Sequence, residues 1–335
     1  MKKIMNEPQN FVDEVMVGIE SAYGDRVRLL DGDKRILVSA YPKKKGKVGI
    51  VTAGGSGHLP VFLGYVGSGL LDGCAVGNVF ASPSAKKMAS MITACDDGNG
   101  VLCLFGNYGG DKMNFAMACE MVEMDDIETL SVLIADDVAS SPKELAEKRR
   151  GVAGMVFAFK IAGAAADELM NLQEVAAVTN KALSNIRTMG VALSPCIVPE
   201  VGKPTFSIED DELELGMGIH GERGIEVCKM MTANEIADVI FDKIVADMPL
   251  DKGSEVSVMV NGLGATPLEE QILVYSRISS RLKEQEVTVF MPHIGEFATS
   301  MEMAGLSVTI MKLDDQLKGL LRKPASTPFY TSENK

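Results

Sequence analysis

No stretch of this chain runs for about 18 uncharged apolar residues, so nothing in it is expected to span a membrane. The opening MKKIMNEPQN has a basic start but no apolar segment behind it, which argues against a secretory leader and makes the cytoplasm the expected location. The six cysteines, Cys74, Cys95, Cys103, Cys119, Cys196 and Cys228, include no C-x-x-C pair and mostly sit in apolar runs. They read as buried thiols in a reducing compartment and not as a disulfide framework. Basic residues are in deficit, 33 against 46 acidic, for a net charge of −13. That excludes the clustered Lys and Arg of a nucleic-acid surface and says little about a small buried substrate. The G-x-x-x-x-G-K-[ST] signature is missing, so the chain has no P-loop. Histidine is scarce too: His58, His220 and His293 show neither H-x-x-x-H nor H-E-x-x-H spacing, and no metal site is expected. His293, directly after Pro292 at an apolar strand end, reads as structural.

What is present is ordinary for a soluble globular chain, with 46% hydrophobic and 24% charged residues over 335 positions. That length suits two domains, each with its own core. A helix is expected after Pro8, with Val12, Val15, Met16 and Ile19 on one face. Strands are expected at 35–39, 48–52, 100–105 and 131–135, with the basic cluster 43–47 as a solvated loop between the first two. Helices fall at 84–95 and after Asp111, the latter with Met113, Ala116, Met117, Glu120 and Met121 at helical spacing. Two alanine-rich helices broken near Asn171 follow, and a strand from Val191 opens the second part. There Thr232 and Glu235 form a capping box for a helix to about Asp247, and Thr266, Pro267 and Glu269 read as N-cap, first turn and third position of another. Further strands are expected at 255–260, 287–291 and 306–311, and the tail from Lys323 reads as loosely held. The alternation predicts two α/β domains, 1–188 and 189–335, each with a mainly parallel or mixed sheet flanked by helices.

Chemistry is expected where such strands end in glycine. The run at 48–52 empties into Ala53-Gly54-Gly55-Ser56-Gly57-His58-Leu59-Pro60, and the run at 100–105 into Gly106-Asn107-Tyr108-Gly109-Gly110-Asp111. His58 and Asp111 close these loops and could face one crevice; a backbone requirement for His58 and an N-cap role for Asp111 account for them equally well. In the second part LELGMGIHGERG (213–224) surrounds His220 with four glycines. There the imidazole is a nucleophile, a general base, a ligand, or a turn residue bonded to backbone carbonyls. Gly216, Gly218 and Gly221 spell G-x-G-x-x-G, but no helix opens after them as the dinucleotide fingerprint requires, so the match reads as accidental.

Taken together, GGSGH, GYVGSGLLDG, NVFASPS, NYGGDKMNF, GKPTF and LELGMGIHGERG resemble, in this order and over nearly the whole chain, the substrate-binding (DhaK) subunit of the dihydroxyacetone kinase family. The resemblance implies a kinase subunit that holds dihydroxyacetone as a covalent hemiaminal on His220. It implies that Gly55, Ser56, Gly57 and His58 hold substrate hydroxyls, and that Asp111 with His58 takes the proton from the hydroxyl to be phosphorylated. The chain itself would carry no cofactor: ATP or ADP with magnesium belongs to a separate DhaL-type subunit, reloaded by ATP or by a phosphotransferase-system protein of the DhaM kind. A homodimer is a family expectation. Many members have glycine where Ala53 stands, glutamate at Leu59 and proline at Arg223, and many have a substrate-contacting lysine at Gly106. The missing lysine opens space for a longer ketose such as erythrulose. The family also includes DhaQ-type co-activators, which bind dihydroxyacetone and act on a transcription regulator.

Overall fold

Residues 2–333 are described by a computed structural model. In chain order they form α1 (Phe11–Tyr23), β1 (Val27–Leu30), β2 (Asp33–Ser39), β3 (Gly49–Ser56), β4 (Gly73–Val79), α2 (Ala85–Cys95), β5 (Val101–Gly106), α3 (Gly109–Glu123) and β6 (Thr129–Ile134). Helices α4 (Met155–Asp167) and α5 (Leu172–Ser184) follow. Then come β7 (Ile186–Ser194), β8 (Glu212–Leu215), β9 (Glu226–Lys229), α6 (Ala233–Asp247), β10 (Glu255–Gly262), α7 (Leu268–Glu284), β11 (Thr288–Glu296) and β12 (Ala304–Leu313). The chain closes with α8 (Asp315–Arg322) and the short strands β13 (Ala325–Ser326) and β14 (Thr331–Ser332).

These elements make two units, neither of which is one continuous stretch. The first holds the chain up to Ile134, Phe157–Ala182 and the residues from Leu317 onward; the second holds Ala135–Val156 and Leu183–Gln316. A single cut at 188/189 therefore does not describe the division: the chain leaves the first unit, returns as a helical pair, and comes back once more at the end.

The first unit is built on a six-stranded sheet of order β1-β2-β4-β3-β5-β6, in which β4, β3, β5 and β6 run parallel and the β1–β2 hairpin closes one side antiparallel. All eight residues of β3 are buried, as a strand covered on both faces requires. Helices α2 and α3 pack Met88, Met91, Ile92, Phe115, Ala118 and Val122 against Val51, Cys103 and Phe105 of the sheet. The methionine periodicity of α3 marks a helix but the wrong face: Met113, Met117 and Met121 are exposed, and Asp111, Phe115, Ala118 and Val122 turn inward. The expected solvated loop is also corrected at one residue. Lys47 is only 11% exposed and reaches Asp72 at 2.7 Å and Asp167 at 3.4 Å. Those two carboxylates overcome the burial that would discharge it and raise its pKa. Nor is the tail loose, because Thr327 is fully buried with its hydroxyl donating to the Gly64 carbonyl, and Ser326 and Ser68 exchange backbone hydrogen bonds.

The second unit carries a mixed sheet of order β11-β10-β12-β7-β8-β9 in which only β10 and β11 run parallel. Helices α6 and α7 bury Ile236, Ile240, Phe241, Ile244, Val274 and Ile278 against its strands. The Thr232 capping box forms as expected, with both reciprocal hydrogen bonds present. Thr232→Ala should therefore lower stability by about 1 kcal/mol in urea unfolding; a loss below a few tenths would show the cap to be idle. At α7 the expected threonine cap does not form. Pro267 is the N-cap, while the Thr266 hydroxyl bridges backbone to backbone at Gly305, donating to its carbonyl and accepting from its N–H. Among the described residues no helix is long and apolar enough to cross a membrane.

Candidate active site

In the first unit three loops meet at the carboxyl ends of parallel strands. Strand β3 delivers Gly55, Ser56, Gly57 and His58, with Gly57 at φ +94° in a conformation that side chains resist. Gly55 is required by crowding, since a Cβ there would lie 2.7 Å from the Ala81 nitrogen. The His58 ring is 1% exposed and stacks on Phe80, from the loop after β4, with centroids 4.8 Å apart. The same post-β4 loop touches the third one: a Cβ on Gly110 would lie 2.7 Å from Ser82 Oγ, and the Asn114 amide donates to the Pro83 carbonyl at 2.9 Å. The NVFASPS segment is thus the spacer that sets the GSGH and GNYGGD loops side by side.

Asp111 is not a helix cap. Tyr108 occupies the N-cap position, and Asp111 lies in the first turn of α3, 4% exposed, where the helix dipole favours its charge. Gly106 is the buried last residue of β5 and offers only its backbone. The Ser56 hydroxyl is buried, Ser56 being 8% exposed, and has no hydrogen-bond partner among the described residues. A buried hydroxyl normally finds a partner, so this one, two residues before His58, suits a ligand hydroxyl.

In the second unit His220 lies in the connection from β8 to β9, and the glycines around it do different work. Gly221, at φ +81°, makes the turn, while Gly218 has no room for a Cβ beside the Glu222 carboxylate and Arg150. The histidine has a carboxylate as a partner. Its Nδ1 faces Glu222 Oε1 at 2.8 Å, and Glu222 Oε2 accepts the His220 backbone N–H at 3.0 Å. A carboxylate can only accept, so the neutral ring carries its hydrogen on Nδ1 and its lone pair on Nε2. Burial works to raise the Glu222 carboxyl, but the hydrogen bond and charge of His220 and the backbone donors prevail and hold it at about 2.

Behind this turn stands Arg150. Its guanidinium donates to the Gly216 carbonyl at 2.8 Å and to the Glu222 carbonyl at 3.4 Å, and is held from the other side by Asp137 at 2.7 Å. Burial pushes the Asp137 carboxyl up to about 6 against the pull of that cation. The loop's two ends are therefore tied to one buried ion pair. Sequence reasoning missed Glu222, Arg150 and Asp137. A glutamate two residues past a glycine-flanked histidine was a usable signal for the first, whereas nothing in the sequence places the other two near residue 220. His293 sits half-buried on β11, with Phe297 edge-on to its ring.

The Dak1 domain model matches residues 17–329. The chain belongs to the Dak1 family of dihydroxyacetone kinases. Among its Dak1 relatives, the dihydroxyacetone-binding subunit DhaK of a PTS-dependent dihydroxyacetone kinase of Listeria innocua is 42% identical, over 98% of this chain and 99% of that one. The L-erythrulose 1-kinase of Mycolicibacterium smegmatis is 40% identical over 98% of this chain and 58% of its own. A solved dihydroxyacetone kinase operon co-activator, DhaQ, superposes with a TM-score of 0.89 at 29% identity, covering 98% of this chain and all of that one.

Proposed function

We propose that this chain is the ketose-binding subunit of a dihydroxyacetone-type kinase and that His220 holds the substrate covalently. The arrangement of His220 with Glu222 carries the reading, because it fixes the ring as a nucleophile with its lone pair on Nε2. Nε2 adds to the ketone carbon, a C–N bond forms, and the carbonyl π pair moves to oxygen. The ring becomes cationic and is stabilised by the Glu222 carboxylate; loss of the Nδ1 proton and protonation of the alkoxide complete a neutral hemiaminal. A polyol has no carbonyl to accept the ring, so a ketose is selected over glycerol by bond formation.

Gly55, Ser56, Gly57 and Gly106 hold substrate hydroxyls, and Asp111 with His58 accepts the proton of the hydroxyl that attacks phosphorus. The nucleotide, ATP or ADP with magnesium, belongs to a separate DhaL-type subunit; ATP is the phosphoryl donor there, supplied by exchange or regenerated from bound ADP by a DhaM-type protein. The functional protein is a cytoplasmic homodimer. Gly106 favours one second reading, a kinase subunit for a four-carbon ketose, which agrees with an erythrulose kinase among the relatives. A DhaQ-type sensing role fits less well, since capture alone needs His220 and not His58 and Asp111.

The test pairs intact-mass measurement with turnover. Under reducing conditions dihydroxyacetone or erythrulose should add one ketose mass to the wild type and none to His220→Ala. With a DhaL-type partner and ATP, or with the phosphotransferase chain, a ketose phosphate should accumulate. An adduct that survives in His220→Ala would remove the nucleophile from this reading, and an adduct with no phosphate from either donor would favour the sensor.

A further inference from the structure

Strand β5 and helix α3 bracket the GNYGGD loop, and they pack on each other in rungs. Phe105 stacks on Phe115 with ring centroids 4.2 Å apart, and Cys103, two residues earlier on the strand, faces Cys119, one helical turn further along, with the sulfurs 4.0 Å apart. Asp111 lies one turn before Phe115 on the same inward face of the helix. Cys103 is fully buried and Cys119 partly exposed, so one thiol can meet a small solute and the other stands behind it. The Cys103 hydrogen bond, with the hydroxyls of Thr129 and Ser131, lowers the Cys119 thiol to about 6 against the effect of burial. The hydrogen bond to Cys119 and burial push Cys103 the other way. Cys119 is therefore placed to attack a small oxidant and Cys103 to resolve the product, the division of labour between an attacking and a resolving cysteine.

We infer that Cys103 and Cys119 form a peroxide-oxidisable pair that closes to an intramolecular disulfide and ties α3 to β5. The Cys119 thiolate attacks one oxygen of hydrogen peroxide; an S–O bond forms, the O–O bond breaks, and hydroxide leaves to be protonated to water. The Cys103 sulfur then attacks the sulfenic sulfur. The S–S bond forms, the S–O bond breaks, and hydroxide departs with the Cys103 proton as a second water. Two thiols are oxidised and one peroxide is reduced. A disulfide needs sulfurs about 2 Å apart, so closure draws strand and helix together two turns from Asp111. Resting on the function proposed above, that movement should also slow turnover.

The whole chain is treated with hydrogen peroxide and mapped by non-reducing peptide mass spectrometry. The expected result is a Cys103–Cys119 linked peptide that weighs two hydrogens less than the separate pair and is released by dithiothreitol. Cys103→Ser should stop at the sulfenic acid on Cys119, which a dimedone probe captures, and Cys119→Ser should leave Cys103 unmodified. Linkage to another cysteine, or both thiols remaining free while exposed methionines oxidise, would overturn the inference. In the paired kinase assay the oxidised wild type should lose at least ten-fold in rate and recover with dithiothreitol. Unchanged turnover in the fully linked chain, or an equal loss in Cys119→Ser after peroxide, would overturn the link to the site. If the reduced wild type shows no turnover with any donor, the proposed function fails while the mapped disulfide still stands.

Discussion

Glu222→Ala should slow covalent capture of dihydroxyacetone about a hundred-fold while leaving the chain folded and His220 in place. The factor is the typical loss when the group that orients an imidazole through its second nitrogen is removed. Alanine takes away both hydrogen bonds that define the ring's setting, the one at Nδ1 and the one to the His220 N–H. Either nitrogen can then carry the hydrogen, which costs about two-fold; the rest of the loss comes from a ring no longer held in orientation and from a cationic adduct left without its counter-charge. Glu222→Gln keeps an acceptor and loses the charge, so it should recover about ten-fold over the alanine variant and remain about ten-fold below wild type. That graded recovery separates a positioning residue from a merely structural one, which would show the same loss in both variants. Adduct formation followed by mass against time measures it, and equal rates in all three proteins would sink the assignment. The acid side of the rate profile carries the same information. Glu222 is held at about 2 against an ordinary 4.5, so its folded-state pKa is depressed. Its hold on the ring is complete above about 4.5 and is lost as pH falls through 2. The wild-type adduct once formed should therefore not shed its glutamate contact in mild acid.

The loop around His220 shows why some of the site was legible in the sequence and some was not. Four glycines around a histidine announced a tight place, and the local residues His220 and Glu222 could be paired within five positions. The clamp could not be read. Arg150 lies 66 positions before the Gly216 carbonyl it binds, and only the early excursion of Ala135–Val156 into the second unit brings them together. In the first unit the glycine-ended strands were legible because β-branched runs give way to residues no strand interior prefers. Even so, β3 continues through Gly54 and Gly55 to Ser56: the missing side chains let Phe62 and the 80–81 backbone close over a strand that does not stop. A helical period shows that a helix exists and not which side faces in. The methionines of α3 match the spacing as well as the buried Phe115, Ala118 and Val122, and the sheet decides between them. The same limit applies to Thr266, whose hydroxyl suits a cap by sequence and is taken instead by Gly305 on the adjoining strand. Local rules rank candidates; pairings remote in sequence choose among them.

The largest effect on stability is expected at Asp247, the last residue of α6. Its carboxylate lies between two guanidiniums: Arg149 reaches it with both terminal nitrogens at 3.0 and 2.6 Å, and Arg187 Nε donates to the same oxygen as the first. The side chains of Arg149 and Asp247 are 2% and 8% exposed, so water cannot replace a lost partner. Burial tends to raise the Asp247 carboxyl, but the two cations overcome it and hold the group at about 2. Asp247→Ala removes the carboxylate that one fully buried and one mostly buried guanidinium share and should cost about 3–5 kcal/mol, the range for breaking a buried pair from one side. Replacing all three by apolar residues of like volume, Arg149→Met, Arg187→Met and Asp247→Leu, should restore most of that loss, because desolvation then disappears with the charges. Urea unfolding of the two variants reads both numbers. A single-variant cost below about 1 kcal/mol would mean that solvent reaches the cluster. The wild type adds a check of opposite sign to ordinary screening: the depressed pKa makes this contribution complete above about 3.8 and lost as pH falls through 2, so the gap between wild type and Asp247→Ala should close in acid and nowhere else.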